Sequence, residues 1–571
     1  MEIQKYIRKI KEFVPGEMTK QEQSYVLNSF EALLYKVSEL QEEVQLLKDQ
    51  VNRLQGEQGK PDIKGNTGQK DETTKEADLP KEDSSSGDTE NTEPTSKDIS
   101  SEKERKPKGT NKGKKGVKFD GSRQADKEDV IPIDKGVLPS DALFKGYAVS
   151  RYYDLQIQSS LIEVKREVYY SPSEGKNYTA PLRPRYDAGS DYTNELKGHV
   201  VALKYKFGMS IPKIEEWLNL NGVPITKGTI SNILLEKGAS SQVEYEQIHE
   251  LGLQIGLFNQ SDTTGARVNG QNQHCHVFGN AYYTAYFTTP HKDRQTIIDL
   301  VRSNRPRAYL LNDQTLAIYK YLKIPKKVVK LLAEELCEKS VDQKSFTALL
   351  QEILPRQDYE RQIDKLLEGA YLAHYHSEDP LRILVADDAP QYKLTALLIA
   401  LCWVHAGRHF KKLNPKITYH QELLDKFLTD FWQYYHRLLV YKQAPDPLIA
   451  RQLSSDFDHL FSQQSGFDLL DERIAKTKAK KRELLVVLEH PYIPLHNNAS
   501  ELDARKEVEY RNISFQTRNQ KGTLAKDVFF TIVQTCKKLG VNAYAYILDI
   551  VSNKREMTPL TDIMIQKAMT F

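Results

Sequence analysis

"LRILVADDAPQYKLTALLIALCWVHAGRHFKKL", residues 381 to 413, is the stretch whose reading decides the fold class. Ile383, Leu384, Val385 and Ala386 make the short, continuous apolar run of a strand buried on both faces, as found inside α/β sheets. Asp387 and Asp388 stand at its carboxyl end, and a helix carrying His405, Arg408 and His409 is predicted to follow. Functional groups of open α/β sheets gather beyond the carboxyl ends of strands. One of the two acids can equally cap the following helix, so Asp387 and Asp388 need not both be functional.

Two other stretches bear on these acids. "LGLQIGLFNQSDTTGARVNGQNQHCHVFGNAYYTAYFTTP", residues 251 to 290, places Asp262 ahead of runs suited to adjacent strands turned at Gly279-Asn280. The helical pattern RQTIIDLVRS follows, so a carboxylate on the first strand of a meander fits one element of an RNase H-like α/β layout. Asp262 before Thr-Thr-Gly also reads as a plain turn residue. "LHNNASELDARK", residues 495 to 506, reads as a helix start. Asn497 or Asn498 would be its N-cap, and Glu501 the first-turn acid of a capping-box-like arrangement.

At 571 residues the chain should hold two to four domains. Lys plus Arg number 81 against 78 Asp plus Glu, so a nucleic-acid surface would have to come from local clustering. Cys275, Cys337, Cys402 and Cys536 form no C-x-x-C pair, which argues against a disulfide framework and a cysteine-rich zinc site. No run of eighteen apolar residues and no signal-peptide pattern is present, so the expectation is a cytoplasmic protein without a membrane partner.

Upstream, residues 26 to 54 carry a heptad with Phe30, Val37, Val44 and Val51 at one seam position and Val26, Leu33, Leu40, Leu47 and Leu54 at the other. Valine at a with leucine at d favours a parallel two-stranded coil. The competing reading is an amphipathic helix packed on its own domain. Residues 58–135 read as a disordered charged linker, acidic from Asp71 to Asp98 and basic over 103–118. Its basic half could touch DNA phosphates, or be a solvated spacer. Residues 136–190 read as a small β-rich module of short strands. Three helical patterns over 191–240 fit a helix-turn-helix unit, with Ser210 and Thr226 as start signals. Its last helix would present Lys227, Thr229, Ser231 and Asn232 to DNA; a plain helical connector explains the same pattern.

Asp262-Thr263-Thr264, Asp387 with Tyr392, CWVHAGRHF at 402–410, and NNASE with Arg505 and Arg511 beyond it together resemble the insertion-sequence-66 (TnpC-type) family of bacterial DDE transposases. The likeness covers most of 140–552 outside the insertions. It implies a multidomain α/β chain: coiled coil over 1–57, the linker, a zinc-less counterpart of the family's zinc-binding domain in the β-rich module, and the helix-turn-helix unit. An RNase H-like core would follow over 241–520, with helical insertions near 303–378 and 415–485, and a helical tail over 521–571. It further implies that Asp262, Asp387 and Glu501 hold two Mg2+ or Mn2+ ions and no zinc. Water would then release a 3′-hydroxyl at the element end, and that hydroxyl would attack target DNA. His405 and Arg408 would orient phosphate or an acid; Asn497 and Asn498 would cap the last helix and touch DNA. Arg505, Arg511, Arg518 and Lys521 would contact backbone. DNA ends, target DNA, a homodimer or higher oligomer, accessory transposition proteins and the nucleoid are the implied surroundings. Thr263 stands where the family usually has glutamate, and Leu502 where it usually has arginine. These departures, with the missing cysteines, keep open a non-catalytic, transposase-derived DNA-binding protein.

Overall fold

The computed structural model of the protein describes residues 19–54, 124, 126–134, 143–150, 152, 155 and 157–570. The acidic and basic stretches expected of the linker lie outside the described residues. The chain divides into two compact units: residues 1–99, 240–543 and 558–571 form the larger, and 100–239 with 544–557 the smaller.

The larger unit begins with helix α1 (Lys20–Leu54), 35 residues long. Its first half docks within that unit: Leu27 and Leu34 are buried with Ile417, and Phe30 packs against them. Glu31 is 2 % exposed. Its carboxylate accepts from the Lys416 and Ile417 N–H groups and lies 3.1 Å from His420 Nδ1. Asn28 Nδ2 and Ser24 Oγ both donate to the Gly466 carbonyl. The docked stripe therefore runs through Ser24, Leu27, Asn28, Glu31 and Leu34, which realises the helix-on-its-own-domain reading for this half. Of the predicted seam, Phe30 joins this docked face, while Leu33, Leu40, Val44, Leu47 and Val51 are exposed.

In the smaller unit, strands β1 (Val168–Ser171) and β2 (Lys176–Thr179) pair as an antiparallel hairpin. Among the described residues this hairpin is the only pairing where the sequence predicts several strands over 136–190. Leu155, Leu161 and Tyr152 stand exposed; alternation favours an extended chain, but a strand also needs a partner and a face to cover. Helices α2 (Asn194–Tyr205), α3 (Ile211–Leu220) and α4 (Lys227–Ser240) follow. Thr193 and Ser210 cap the first two through their side chains. Thr226 Oγ1 accepts from the Thr229 N–H at the start of α4. Val200, Val201, Ile214, Leu218, Ile230 and Leu234 are buried apolar side chains on these helices. The left-handed Gly222 (φ +76°) turns the chain between α3 and α4.

The larger unit resumes at α5 (Gln242–Ile255) and then builds a five-stranded sheet. Strands β3 (Asn259–Val268), β4 (Gln271–Gly279) and β5 (Thr284–Thr289) form an antiparallel meander. Asn269 and Gly270, at φ 47° and 77°, make the two-residue turn between the first pair; this is the left-handed geometry that Asn-Gly favours in hairpins. Helix α6 (Arg294–Val301) leads into the first insertion, built from β6 (Tyr309–Leu311), α7 (Asp313–Tyr321), α8 (Lys326–Leu332), β7 (Cys337–Val341), α9 (Gln343–Ile353) and α10 (Arg356–Ser377). Its elements are mostly helices, with a two-stranded ribbon, β6–β7. Tyr309, Tyr319, Phe346, Leu366 and Tyr371 fill its own core.

Strand β8 (Leu381–Ala386) then enters beside β3, parallel to it. A 3-10 turn (Pro390–Tyr392) leads to β9 (Ala396–Leu401), parallel to β8, and the helix expected to carry His405, Arg408 and His409 follows only after it. Leu394 at φ 66° breaks the chain direction there. An apolar run as short as Ala-Leu-Leu-Ile-Ala-Leu cannot be assigned to helix or strand by periodicity alone. The sheet order is β5-β4-β3-β8-β9.

Helix α11 (Trp403–Lys411) is followed by the second insertion, α12 (Thr418–Gln443), α13 (Pro447–Leu460) and α14 (Asp468–Lys478). Its aromatic core, including Phe427, Phe431 and Phe457, packs with Trp403 and with Val385 of β8. Gly407 is required in α11, since a Cβ there would lie 2.6 Å from Trp432 Cζ2. After two single-turn helices, α15 (Asn498–Ser514) packs on β3 and β4, and α16 (Gln520–Leu539) on β5. Helix α17 (Leu560–Met569) packs against α5 and α16. The whole is a multidomain mixed α/β architecture, a central sheet with helices around it.

Candidate active site

The register of β3 with β8 pairs Asn259 with Leu384 and Gln260 with Val385. Two residues further along the same direction are Asp262 and Asp387, so parallel pairing brings these acids side by side. Asp262 Oδ1 accepts from the Thr263 N–H at 2.8 Å, and Asp387 Oδ1 from the Ala389 N–H at 3.1 Å. The third acid arrives on α15. That helix is fastened along β3: Asn497 Nδ2 donates to the Ser261 carbonyl at 2.9 Å, Arg511 donates to the Gly265 carbonyl, and just beyond the helix the Thr517 N–H donates to the Arg267 carbonyl at 3.1 Å.

The three carboxylates share one electrostatic environment. Burial, with the charges of Asp387 and Glu501, pushes the Asp262 carboxyl up to about 6, against the opposing pull of the Thr263 N–H and the Arg408 guanidinium. Glu501 faces the α11 residues. Its Oε1 lies 3.6 Å from His405 Nε2 and its Oε2 3.6 Å from Arg408 Nη2. Arg408 Nη1 donates to His405 Nε2 at 3.2 Å, so that nitrogen carries a lone pair. Burial holds the His405 imidazole below its ordinary pKa, with Glu501 opposing and Arg408 reinforcing the shift. His409 is likewise lowered, by burial and then by Arg473.

Asp388 stands apart from this group. Lys393 lies 3.0 Å from one oxygen and Lys480 holds the other. Burial works to raise its carboxyl, and the two ammoniums outweigh that, so it stays below its usual range. Lysines neutralise Asp388; among the described residues no lysine pairs with Asp387.

Asn497 departs from expectation. It is fully buried and makes no side-chain cap; it holds Ser261 and receives the Ser500 hydroxyl instead. A residue so enclosed positions α15 and does not reach DNA. Asn498 is half-buried, and its N–H donates to His496 Nδ1 at 3.3 Å. Glu501 is not part of a capping box, since its side chain turns to α11. Arg505, Arg518 and Lys521 are exposed. Arg511 has one Nη committed to β3. In the smaller unit, Lys227 and Asn232 are exposed and Thr229 and Ser231 half-buried on α4. Lys227 lies 3.6 Å from Glu215 of α3.

A chain of hydrogen bonds that sequence reading missed lies under Asp262. Thr263 Oγ1 contacts the Tyr392 hydroxyl at 2.9 Å and His276 Nδ1 at 3.0 Å, and His276 Nε2 reaches Thr289 Oγ1 at 2.9 Å. Burial keeps His276 down at about 4, hence neutral. Thr263 thus serves as a structural link, occupying the position after the first acid with a hydroxyl that ties β3 to β4 and to the turn after β8. Beside Asp387 a cleft of about 780 Å³ opens, lined among others by Thr264, His274, Lys292 and Arg294.

The family model described as "Transposase IS66 family" matches residues 360–525, from α10 through Asp387, α11 and Glu501 to the start of α16. An "Uncharacterized protein y4jO" of Sinorhizobium fredii is 33 % identical over 316 residues, covering 54 % of this chain and 96 % of that protein. The chain belongs to the IS66 transposase family. Within this IS66 family chain, the matched segment holds two of the three acids and the His405–Arg408 pair, and Asp262 comes to them through the β3–β8 pairing. Among the described residues, Cys402, His405 and Glu501 also make a group whose ligand atoms lie within 4.8 Å of one another. No helix among them is long and apolar enough to cross a membrane.

Proposed function

We propose that this chain is a DDE-type transposase that cleaves and joins DNA with divalent metal ions, its core an RNase H-like fold. The observation that carries the reading is the convergence on Asp262 of the charges of Asp387 and Glu501, from a neighbouring strand and a helix more than a hundred residues further along. Three carboxylates so placed repel one another unless cations neutralise them. The donor set fits hard cations: it is all oxygen, and Glu501 Oε1 is sealed from solvent with no hydrogen-bond partner among the described residues. Asp262, Asp387 and Glu501 would hold two Mg2+ or Mn2+ ions, which supply activation of the attacking oxygen and stabilisation of the leaving oxygen in an in-line displacement at phosphorus.

The protein's own groups do the rest. Arg408 and His405 hold Glu501 from the α11 side and offer a cation beside the scissile phosphate. Lys292, in the cleft next to Asp387, supplies positive charge along the path of a backbone, and His274 beside it, held neutral by burial and by Lys292, offers a hydrogen bond. Arg505, Arg518 and Lys521 extend that charge. The test is a cleavage and strand-joining assay on the element ends with Mg2+. Asp387→Asn and Glu501→Gln should each lower the rate by at least roughly a thousandfold, a loss of about 4 kcal/mol of transition-state stabilisation, while Asp388→Asn keeps most of it. Equal loss in all three would reject the assignment of Asp387 over Asp388.

The three helices α2–α4 support a helix-turn-helix reading, with Lys227, Thr229, Ser231 and Asn232 as the contacts to terminal DNA. Lys227→Ala with Asn232→Ala should weaken binding of the element ends about 30-fold or more, since base contacts are each worth roughly 1–3 kcal/mol. Gel-shift titration against an unrelated duplex reads this; an equal loss on both duplexes would mean contact with backbone alone. The exposed half of α1 supports a parallel homodimer through Leu33, Leu40, Val44, Leu47 and Val51. Leu40→Asp with Leu47→Asp should convert the dimer to monomer in sedimentation velocity without moving the thermal transition. A dimer that persists would place the interface elsewhere.

A further inference from the structure

The group formed by Cys402, His405 and Glu501 differs in chemistry from the three acids, although it shares one of them. Cys402 precedes α11 directly, and the backbone N–H groups of His405, Asn497 and Val404 point at its sulfur. That setting favours negative charge on sulfur, as helix N-termini do, while burial of the thiol pushes it up to about 11. A metal overcomes such burial because it binds the thiolate and displaces the proton outright. His405 lies one turn along the same helix, its Nε2 carrying the lone pair 3.6 Å from Glu501 Oε1, and that oxygen is sealed from solvent without a hydrogen-bond partner among the described residues. Buried polar atoms left without partners are rare enough to need an explanation. The side chains of His405 and Glu501 are 27 % and 23 % exposed, so an ion can enter from their side.

We propose that Cys402, His405 and Glu501 form a soft-metal site that takes Zn2+ or another thiophilic divalent cation in place of the oxygen-only arrangement. One sulfur, one imidazole and one carboxylate, with a coordination position left open, are a donor set that zinc accepts and magnesium does not. The scattered cysteines argue only against a cysteine-rich site; a mixed set needs one cysteine, and here the other ligands come from the next helical turn and from α15. Because Glu501 belongs to both sets, a zinc ion bound here removes the third acid from the catalytic group. That consequence rests on the function proposed above; the metal binding does not.

The experiment is titration of the full chain with Co2+, carried in a Cys337→Ser background because Cys337 is exposed while Cys275, Cys402 and Cys536 are buried. The expected result is a sulfur-to-cobalt charge-transfer absorption in the near ultraviolet that saturates at one ion per chain and disappears on adding Zn2+. Loss of an outer-shell partner already weakens metal binding about 10- to 100-fold, so loss of the ligand in Cys402→Ser should exceed roughly 100-fold and abolish the band. Glu501→Gln should keep the sulfur band but weaken the affinity. Circular dichroism checks the fold of each variant, and His405→Ala stands in if Cys402→Ser does not fold. No charge-transfer band, or one that survives Cys402→Ser at full affinity, overturns the site. A chain that binds cobalt in this way but cuts no DNA retires the proposed function and leaves the site standing.

Discussion

Asp262→Asn is expected to abolish metal-dependent cleavage and, in the same protein, to raise the stability of the metal-free state at neutral pH. The carboxyl sits at about 6 against an ordinary 3.8, raised by burial and by Asp387 and Glu501. A folded-state pKa above the unfolded one means that the group's contribution to stability is fully present below the unfolded value, near 3.8. It is lost as pH rises through about 6. At pH 7 the ionised Asp262 therefore opposes folding by roughly 2–3 kcal/mol, an order-of-magnitude figure from about two units at 1.36 kcal/mol each. Asparagine keeps the shape and removes the charge. Calorimetry across pH should show variant and parent close together near pH 4, separating as pH rises from 4 to 6 and keeping a constant gap above that. Mg2+ should then raise the parent and close the gap, because the ions answer the repulsion that asparagine removes. A parent as stable as the variant at pH 7 without metal would mean that the three carboxylates do not crowd one another. The same linkage makes cleavage fall as pH drops below about 6, where protons compete with metal for Asp262.

The second large effect lies behind the site. Lys526 of α16 is 2 % exposed at its side chain, with Glu507 of α15 at 2.7 Å and Asp527 at 3.5 Å, both nearly as buried. Lys526 also donates to Thr288 Oγ1 at 3.1 Å, and the Thr288 N–H donates to Asp527 at 2.7 Å. Burial works against the ammonium, and the two carboxylates more than reverse it, holding Lys526 charged. Lys526→Met leaves two enclosed carboxylates without a counter-charge and should cost about 3–5 kcal/mol in urea unfolding. Replacing the set together, Lys526→Met with Glu507→Leu and Asp527→Asn, should recover most of that loss, since an apolar or neutral set of similar volume is often as stable. Failure to recover would show that the ions hold α15 against the sheet through more than mutual neutralisation. Activity should follow stability, because Glu507 and Glu501 ride on the same helix.

Much of this arrangement is legible in the residues. Ile383 to Ala386 declare a buried strand, the acids sit at its end, and Ser210 and Thr226 mark helix starts that the structure keeps. What the residues leave open are matters of pairing. Asp387 and Asp388 are indistinguishable until Lys393 and Lys480, the latter some ninety residues away, meet only one of them. The β9 segment looks helical because six apolar residues fit either period, and its parallel partner β8 decides. Asn497 looks like a cap because its position is right, yet the Ser261 carbonyl on a distant strand claims its amide. The same holds for α1. Its heptad is real as a pattern, while the docked stripe through Glu31 depends on His420 and Lys416, far along the chain. The Asn269-Gly270 turn, by contrast, was available to direct inspection, since that dipeptide between alternating residues is a strong hairpin signal.

The fastening of α15 along β3 has a consequence for control. Ser261, Gly265 and Arg267 are each gripped by α15 or the residues just after it. Under the proposed function, these contacts would hold the third acid in place before substrate arrives. Under that same function, restraint on untimely cutting would act at admission, through which DNA is let into the cleft and which ion waits there.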